Sequence, residues 1–517
     1  MSKRILTTIV FLFTTLVFGQ GSFPVLEWSP EYNQRDAKFD RILDAGTAHF
    51  YTARSPQFGL FGTSRDHYYA MYDRAHLSEE WLVKVPSWEW NGNRVEPREN
   101  LMANDVQYLF FESYDRQSDT KSLLCRTLDS NASMSEPKLV EQLDSRRRRQ
   151  GDFSVQLSKD RSKIAVFTNP PFKRNGSEQF YIRIFDLELN ELWNAAVELE
   201  YEDQQVVING FEVSNDGDVY ILCNYDENPN RIQLSRERRE FFVLKVEGGA
   251  ENEITKFELG LRNIRIQNIG MECDLKDGQM AVSGFYSKQN FYDMDGAFYI
   301  LFDQEKGAVL HSNLNPFSAD FVAQFNRFRA KRGQGIRRNF VFRQFLSRPD
   351  GGSYIVAEDY EVVVRTVQTS RGTTVTNYYY YYNDIVVLSI SKDGDIDWYA
   401  HIPKKQVSMN DGGYYLGYAL LQNEDGLHFI YNDHKKNQKR WGQKTLRTLT
   451  NVKNSNLALV TLTHDAEMHY RIVNKNSRRK FRVSPRRSSV SNDGKDGAVL
   501  LSLRGTKLRF GNLYFQD

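Results

Sequence analysis

A turn signal ending in Asp-Gly and followed by an apolar run returns along the chain. It stands at Asn215 ("NDGDVYILCNY"), Lys276 ("KDGQMAVSGFY"), Pro349 ("PDGGSYIVAEDY"), Glu424 ("EDGLHFIYND") and Lys495 ("KDGAVLLSLR"). Weaker copies begin at Ala103 ("ANDVQYLFFESYD") and Lys159 ("KDRSKIAVFTN"). No single motif constrains the fold as much, because each repeat is a supersecondary unit that buries its apolar surface only against its neighbours. A second segment follows each copy: an apolar strand, a polar turn and a short strand, as in "YIRIFDLELNELW" at Tyr181 and "FYILFDQEKGAVLHSNL" at Phe298. Each unit therefore reads as four strands. The Asn, Asp and Gly of the turns tolerate left-handed backbone and bond locally.

Several strands are apolar at every position, as in Val219, Tyr220, Ile221 and Leu222. A sheet covered on one face alternates; a continuous run implies cover on both. Four-stranded sheets stacked face to face around an axis meet that demand, so the expected fold is all-β, a single β-propeller. The units are spaced more widely than the ~40 to 50 residues of common propeller repeats, which predicts enlarged loops. Asp40 to Trp90 reads as a first blade. Counting onward favours eight blades, the last completed by an outer strand from "FPVLEWSPEY" at Phe23. Joining the two termini in one blade removes free sheet edges. Seven blades is the alternative, if the first and last units share one.

Lys3 and Arg4 precede an uncharged run from Ile5 to Phe18, shorter than the ~20 residues of a spanning helix, and Gly19 follows. This is the pattern of a signal peptide at 1–19, cleaved before Gln20. It predicts an exported chain with the propeller over 20–517 and no membrane-spanning segment in the mature protein. Cys125, Cys223 and Cys273 have no framework spacing and sit in apolar runs, where a buried thiol is the common state. With 68 Lys+Arg against 66 Asp+Glu, the net charge of +2 argues against a general polyanion binder, and no nucleic-acid signature is present. Basic clusters do occur in predicted loops, at 146–149, 236–239, 331–338, 435–440 and 478–487. Clustered on one rim, they would favour an acidic partner or the phosphates of lipopolysaccharide.

The insertions are the functional candidates, since packing already accounts for the repeating strands. Between 316 and 338, Ser318 is placed to cap a helix in which Phe321, Phe325 and Phe328 form one stripe. Between 360 and 383, "YEVVVRTVQTSRGTTVTNYYYYYND" reads as a long β-hairpin. Tyr378, Tyr379, Tyr380, Tyr381 and Tyr382 would alternate between its faces, offering phenol surfaces to a protein or a sugar. A third feature, "KKQVSMNDGGYYLGYALL" at Lys404, offers Asn410, Asp411, Tyr414 and Tyr415 as central-pocket candidates, the two tyrosines beginning the next innermost strand.

No HExxH, GxSxG, P-loop or dinucleotide fingerprint is present, and no metal-ligand spacing. Asp393, Asp395 and Asp397 lie in the hairpin "SKDGDIDW", which lacks the distal Glu and length of a calcium loop. The pattern predicts no catalytic residue, metal or cofactor and favours a non-enzymatic protein.

The stretch "TTVTNYYYYYNDIVVLSISKDGDIDWYAHIPKKQVSMNDGGYYLGYALL" resembles a group of exported, uncharacterised β-propeller-like proteins of Bacteroidetes. Tyr378 to Asp384, Trp398, Pro403, Lys404, Gln406 and Asn410 to Tyr415 carry the resemblance, which runs from "LEWSPEY" to "LRFGNLYF". It implies a Gram-negative envelope, periplasmic or outer-membrane-associated, and the terminal strand is expected to leave no room for a type IX sorting domain. The expected function is a scaffold or subunit of an envelope complex with an envelope or outer-membrane protein partner. The alternative is a carbohydrate-binding or glycan-cleaving propeller.

Overall fold

The computed structural model describes residues 23–516 apart from segments at 34–36, 57, 60–61, 64–65, 148–149, 174, 228–238, 250–251, 262–263, 289–292, 369–372, 443–444, 476–480 and 491–496. The signal-peptide expectation at 1–19 and the last Asp-Gly turn, at Lys495–Asp496, lie outside the described residues.

Among the described residues the strands assemble into eight antiparallel sheets built on four-stranded meanders, with one two-stranded ribbon, Phe58–Gly59 against Gly62–Thr63, beside them. Sheets 1 to 7 occupy residues 37–85, 93–144, 152–202, 206–258, 265–316, 340–402 and 419–474 in turn. Sheet 8 takes three layers from the C-terminal region and its outermost strand, Phe23–Trp28, from the N-terminal region. Phe23 faces Gln516 and Trp28 faces Gly511 in that pairing. Ser29 reinforces it, its amide donating to the Phe510 carbonyl and its hydroxyl accepting from the Phe510 amide. The first sheet ends sooner than the sequence suggests. Its last strand stops at Val85, and Glu89–Trp90 pairs with Asn93 and Arg94 on sheet 2.

Packing closes the ring. Val219 and Ile221 of sheet 4 face Ile182 and Ile184 of sheet 3, while Tyr220 and Leu222 of the same strand face Met280 and Val282 of sheet 5. One strand thus supplies two cores, which explains its unbroken apolar run. The same arrangement joins sheets 5 and 6, 6 and 7, and 7 and 8. Sheet 8 then meets sheet 1 through Phe510, Phe50 and Tyr72. Sheets 1 and 2 meet through Ala53 and Leu109, and sheets 2 and 3 through Phe110 and Val166. Every sheet is covered on both faces by its two chain neighbours, so the molecule is an eight-bladed β-propeller. Cys125, Cys223 and Cys273 are free and buried in these cores, where burial pushes each thiol up.

The first strand of each sheet lies next to the axis. Polar side chains bridge these strands around the ring: Arg487 to Asp40 at 2.7 Å, Arg41 to Glu99 at 2.9 Å, and Gln156 to Glu212 at 2.6 Å. Lys159, in the first turn of sheet 3, reaches Glu272 of sheet 5 at 3.0 Å and Ser347 of sheet 6 at 3.2 Å.

Candidate docking face

In a four-stranded meander, the first-to-second and third-to-fourth connections leave from one face, and the others leave from the opposite face. The Asp-Gly turns and the short third-to-fourth turns therefore share one face of the ring, the turn face. The helical insertion, the long hairpin, the segment 403–418 and the excursion 435–454 all rise from the other.

The hairpin is an extension of sheet 6. Strands Ser353–Gln368 and Thr374–Ile390 stay paired from Ser353–Ile390 out to Gln368–Thr374, the tip 369–372 lying outside the described residues. A third strand, Gln406–Met409, pairs with Tyr379 to Tyr382 and makes a three-stranded arm. Asn410 clamps its end with a left-handed backbone, φ +58°. The Asn410 amide donates to the Tyr378 carbonyl at 2.9 Å, and its side-chain oxygen accepts from the Tyr378 amide at 2.8 Å. Directly opposed residues share a sheet face. Tyr378 and Tyr380 thus lie with Val364 and Val362, and Tyr379 and Tyr381 lie on the reverse with Val363, Met409 and Val407. Tyr378 is exposed and Tyr379 to Tyr381 are half-buried.

Tyr382 departs from its neighbours. It is 1% exposed, held between Tyr360, with ring centres 4.7 Å apart, and the Arg486 guanidinium 4.5 Å above its ring. It belongs to the core and cannot meet a partner. Gly413 allows this packing: a Cβ there would come within 2.5 Å of the Tyr382 ring, and its φ of +66° already favours glycine.

The arm is rooted on buried charge. Lys404 is fully buried and donates to Glu358 at 2.9 Å, to the Tyr382 carbonyl at 2.8 Å and to Gln406 at 3.3 Å. Its three donors are saturated. Burial lowers the lysine's pKa, with Glu358 opposing the shift. Arg343 holds the other Glu358 oxygen through two bonds, at 2.9 and 3.1 Å.

The helical insertion splits where one helix was expected. Helix α1 (Ala319–Phe325) is capped by Ser318, whose hydroxyl accepts from the Phe321 amide at 3.2 Å. Asn326, with extended backbone, ends α1 and starts α2 (Arg327–Lys331), accepting from the Phe328 and Arg329 amides. The break turns Phe328 out of the stripe, leaving it 78% exposed. Phe321 is buried against Tyr399, ring centres 4.2 Å apart, and Phe325 stacks on His401 at 4.1 Å. Two of the three phenylalanines therefore fasten the insertion to sheet 6.

The central-pocket candidates do different work. Asn410 serves the arm, and Asp411 binds Ser408 at 2.5 Å and the Gly413 amide at 2.9 Å. The next innermost strand begins at Ala419, so Tyr414 and Tyr415 sit in the loop before it. They pack against the core shared by sheets 8 and 1, with Arg487 over the Tyr414 ring at 4.2 Å. Four surface cavities, of about 800, 390, 510 and 600 Å³, are lined by other residues.

One of these cavities, about 600 Å³, opens between the arm and the insertion and is lined by Arg338, Asn339, Asp359, Tyr381, Asp384 and Lys405, among others. The Arg338 Nε lies 3.6 Å from Asp359 and 3.9 Å from Asp384. Burial raises the Asp359 carboxyl; Arg338 opposes the shift and Asp384 adds to it. Burial also works to raise Asp384, but His401, the Lys404 amide and Arg338 outweigh it and hold that carboxyl low. Arg338, Asp359 and Asp384 belong to no catalytic or metal-binding motif. Their signal was an acidic pair, Glu358-Asp359, inside the apolar run "SYIVAEDYEVVV". Asp393, Asp395 and Asp397 serve their turn and its neighbours, Asp395 accepting from Asn313 and Asp397 pairing with Arg348. Among the described residues, no three His, Cys, Asp or Glu side chains gather as a metal site.

No family model and no curated protein matches the chain. Solved structures similar to it include the β-propeller domain of the Trilobed protease from Pyrococcus furiosus, at 9% identity and TM-score 0.38 over 86% of this chain and 98% of that one. The WD40 domain of SCAP from fission yeast is similar at 11% identity and TM-score 0.40, covering 95% of this chain and 94% of its own. Polysaccharide lyase Uly1 is similar at 10% identity and TM-score 0.37, covering 95% and 100%. At such values the fold assignment rests on this chain's own sheets and their closed ring of cores.

Proposed function

We propose that the protein is a non-enzymatic β-propeller scaffold of a bacterial cell-envelope complex, and that the arm face docks its protein partner. One observation carries this reading. The arm leaves Val362, Val364, Val367, Val375, Tyr378 and Met409 between 39% and 54% exposed, on both of its faces. Closing sheet 6 requires none of this surface, and contiguous exposed apolar area marks interaction sites. Tyrosine adds rigid contact area with a polar tip, the chemistry enriched where binding energy concentrates. The buried Lys404 root fixes the arm before a partner arrives, which lowers the entropy cost of docking. Affinity capture of the full chain from native membranes in mild detergent tests the reading: a stoichiometric protein partner supports it, and none recovered opposes it.

A second reading rests on Asp359 and Asp384. Two carboxyls whose surroundings push them apart, beside one arginine in a cavity, have the division of labour of an acid and a base in glycan cleavage. Turnover of glycans that is lost in Asp359→Asn would favour it. An empty glycan array and no hydrolysis would remove it.

A further inference from the structure

The basic clusters and the acidic turns fall on opposite faces of the ring. Arg327, Lys331, Arg332, Arg337 and Arg338 rise with the helical insertion, and Lys435, Lys436, Lys439, Arg447 and Lys453 with the excursion of sheet 7. Arg146, Arg147 and Arg239 stand in connections of the same face, farther around the ring. On the turn face, the third-to-fourth turns of sheets 3 to 7 carry Asp186, Glu247, Asp303, Asp393 and Asp465. A chain of net charge +2 is thus electrically polar along its axis.

Much of this positive charge is uncompensated. Arg338 has Asp359 and Asp384 near it, but Lys331, Arg332, Lys435, Lys436, Lys439 and Lys453 have no ion pair among the described residues. The local field shows at His434, whose pKa is lowered by burial and then by Arg447, Lys436 and Lys435. These cations, with lysine prominent, sit on exposed loops of neighbouring sectors of the ring, the insertion leading into sheet 6 and the excursion of sheet 7, and Arg146 and Arg147 extend the same face farther around it. An acidic peptide in a groove would call for converging side chains and bidentate arginines. Separated point charges facing one way fit a planar array of anions.

We infer that the arm face lies against a membrane surface bearing anionic phosphate headgroups, with the insertion and the sheet 7 excursion as its feet and the turn face directed away. Each basic residue near such a surface strengthens partitioning about fivefold, an effect screened by salt. This surface acts whichever protein the arm binds, so the two proposals fail separately.

Co-sedimentation of the full chain tests it with three vesicles: phosphatidylcholine alone, phosphatidylcholine with phosphatidylglycerol, and phosphatidylcholine with lipid A. Binding is expected to both anionic vesicles at 0.1 M salt and not to phosphatidylcholine. It should weaken at 0.5 M salt, and inorganic phosphate should compete no better than chloride at equal ionic strength. The triple change Lys435→Glu, Lys436→Glu, Lys439→Glu should lower partitioning by about 100-fold or more. Lys276→Glu, Lys306→Glu, Lys392→Glu makes the same net charge change on the turn face and should leave partitioning close to wild type. Circular dichroism and melting confirm that both variants are folded. Equal binding to phosphatidylcholine, equal loss in the two triple variants, or retention on a soluble acidic protein without vesicle binding would overturn the inference.

Discussion

Lys404 and Glu358 form an ion pair of 2.9 Å in which neither side chain reaches solvent: the lysine is 0% exposed and the glutamate 1%. The pair joins the strand that continues into the arm to the segment that returns beside it. A buried pair adds little net stability, because desolvation offsets most of the attraction, but removing one partner strands the other. Lys404→Met should therefore destabilise the protein by about 3 kcal/mol, measured by urea unfolding. Arg343 still holds Glu358, which places the loss at the low end of that range. Amide exchange at Tyr379 to Tyr382 should accelerate more than exchange in sheets 2 to 4. An unchanged exchange pattern would mean that the pair does not anchor the arm.

Adjacent tyrosines on the arm should behave in opposite ways. Tyr382→Ala removes a buried ring and should cost about 3 to 5 kcal/mol. Tyr378→Ala, on an exposed ring, should fall within about 0.5 kcal/mol of wild type. Equal losses in thermal unfolding would contradict the division drawn between core and docking surface.

Glu178 governs a pH dependence. It is 5% exposed, and burial followed by the neighbouring Asp203 raises its pKa to about 8. The unfolded chain releases this proton near the ordinary glutamate value of about 4.3, so between there and about 8 the native state binds the extra proton. Stability should fall as pH rises through that window, with a slope approaching about 1.4 kcal/mol per pH unit. Glu178→Gln should flatten the profile by up to one proton, read from urea midpoints at pH 5, 6, 7 and 8. A parallel profile would show that Glu178 is ionised in the folded protein.

The ring depends on its N-terminal strand. Deleting Phe23–Trp28 strips Leu26 and Trp28 from the core between sheets 7 and 8 and leaves the edge at 511–516 unpaired. The shortened chain should unfold at lower temperature and self-associate, as exposed strand edges do. A synthetic peptide of that strand, added in trans, should restore part of the loss. Unchanged melting would remove the closure from the stability account.

The ring was legible because its signals are local and repeated: an Asp-Gly turn, an apolar run, a polar turn. The terminal closure followed from counting strands. The fate of single aromatics was not legible. Period-two alternation separates the faces of the arm, yet it does not say that cover ends between Tyr382 and Tyr378, which depends on Tyr360, Gly413 and Arg486 arriving from elsewhere in the chain. Helical spacing aligned Phe328 with Phe321 and Phe325, but Asn326 bonds two amides of the following turn and so splits the helix. The Lys404 network was not legible for the same reason. Its members are ordinary charged residues in sequence, and burial alone makes them unusual.

Quantitative capture with the double variant Val364→Lys, Tyr378→Glu, which sets opposite charges across the paired strands, tests the docking account most directly. Both side chains are exposed, at 54% and 45%, so the variant should fold and melt as wild type does. Wild type should recover a protein partner from native membranes at constant stoichiometry, and the variant should lose at least nine-tenths of it. Full retention of the partner by the folded variant would contradict the claim that the arm is the docking surface.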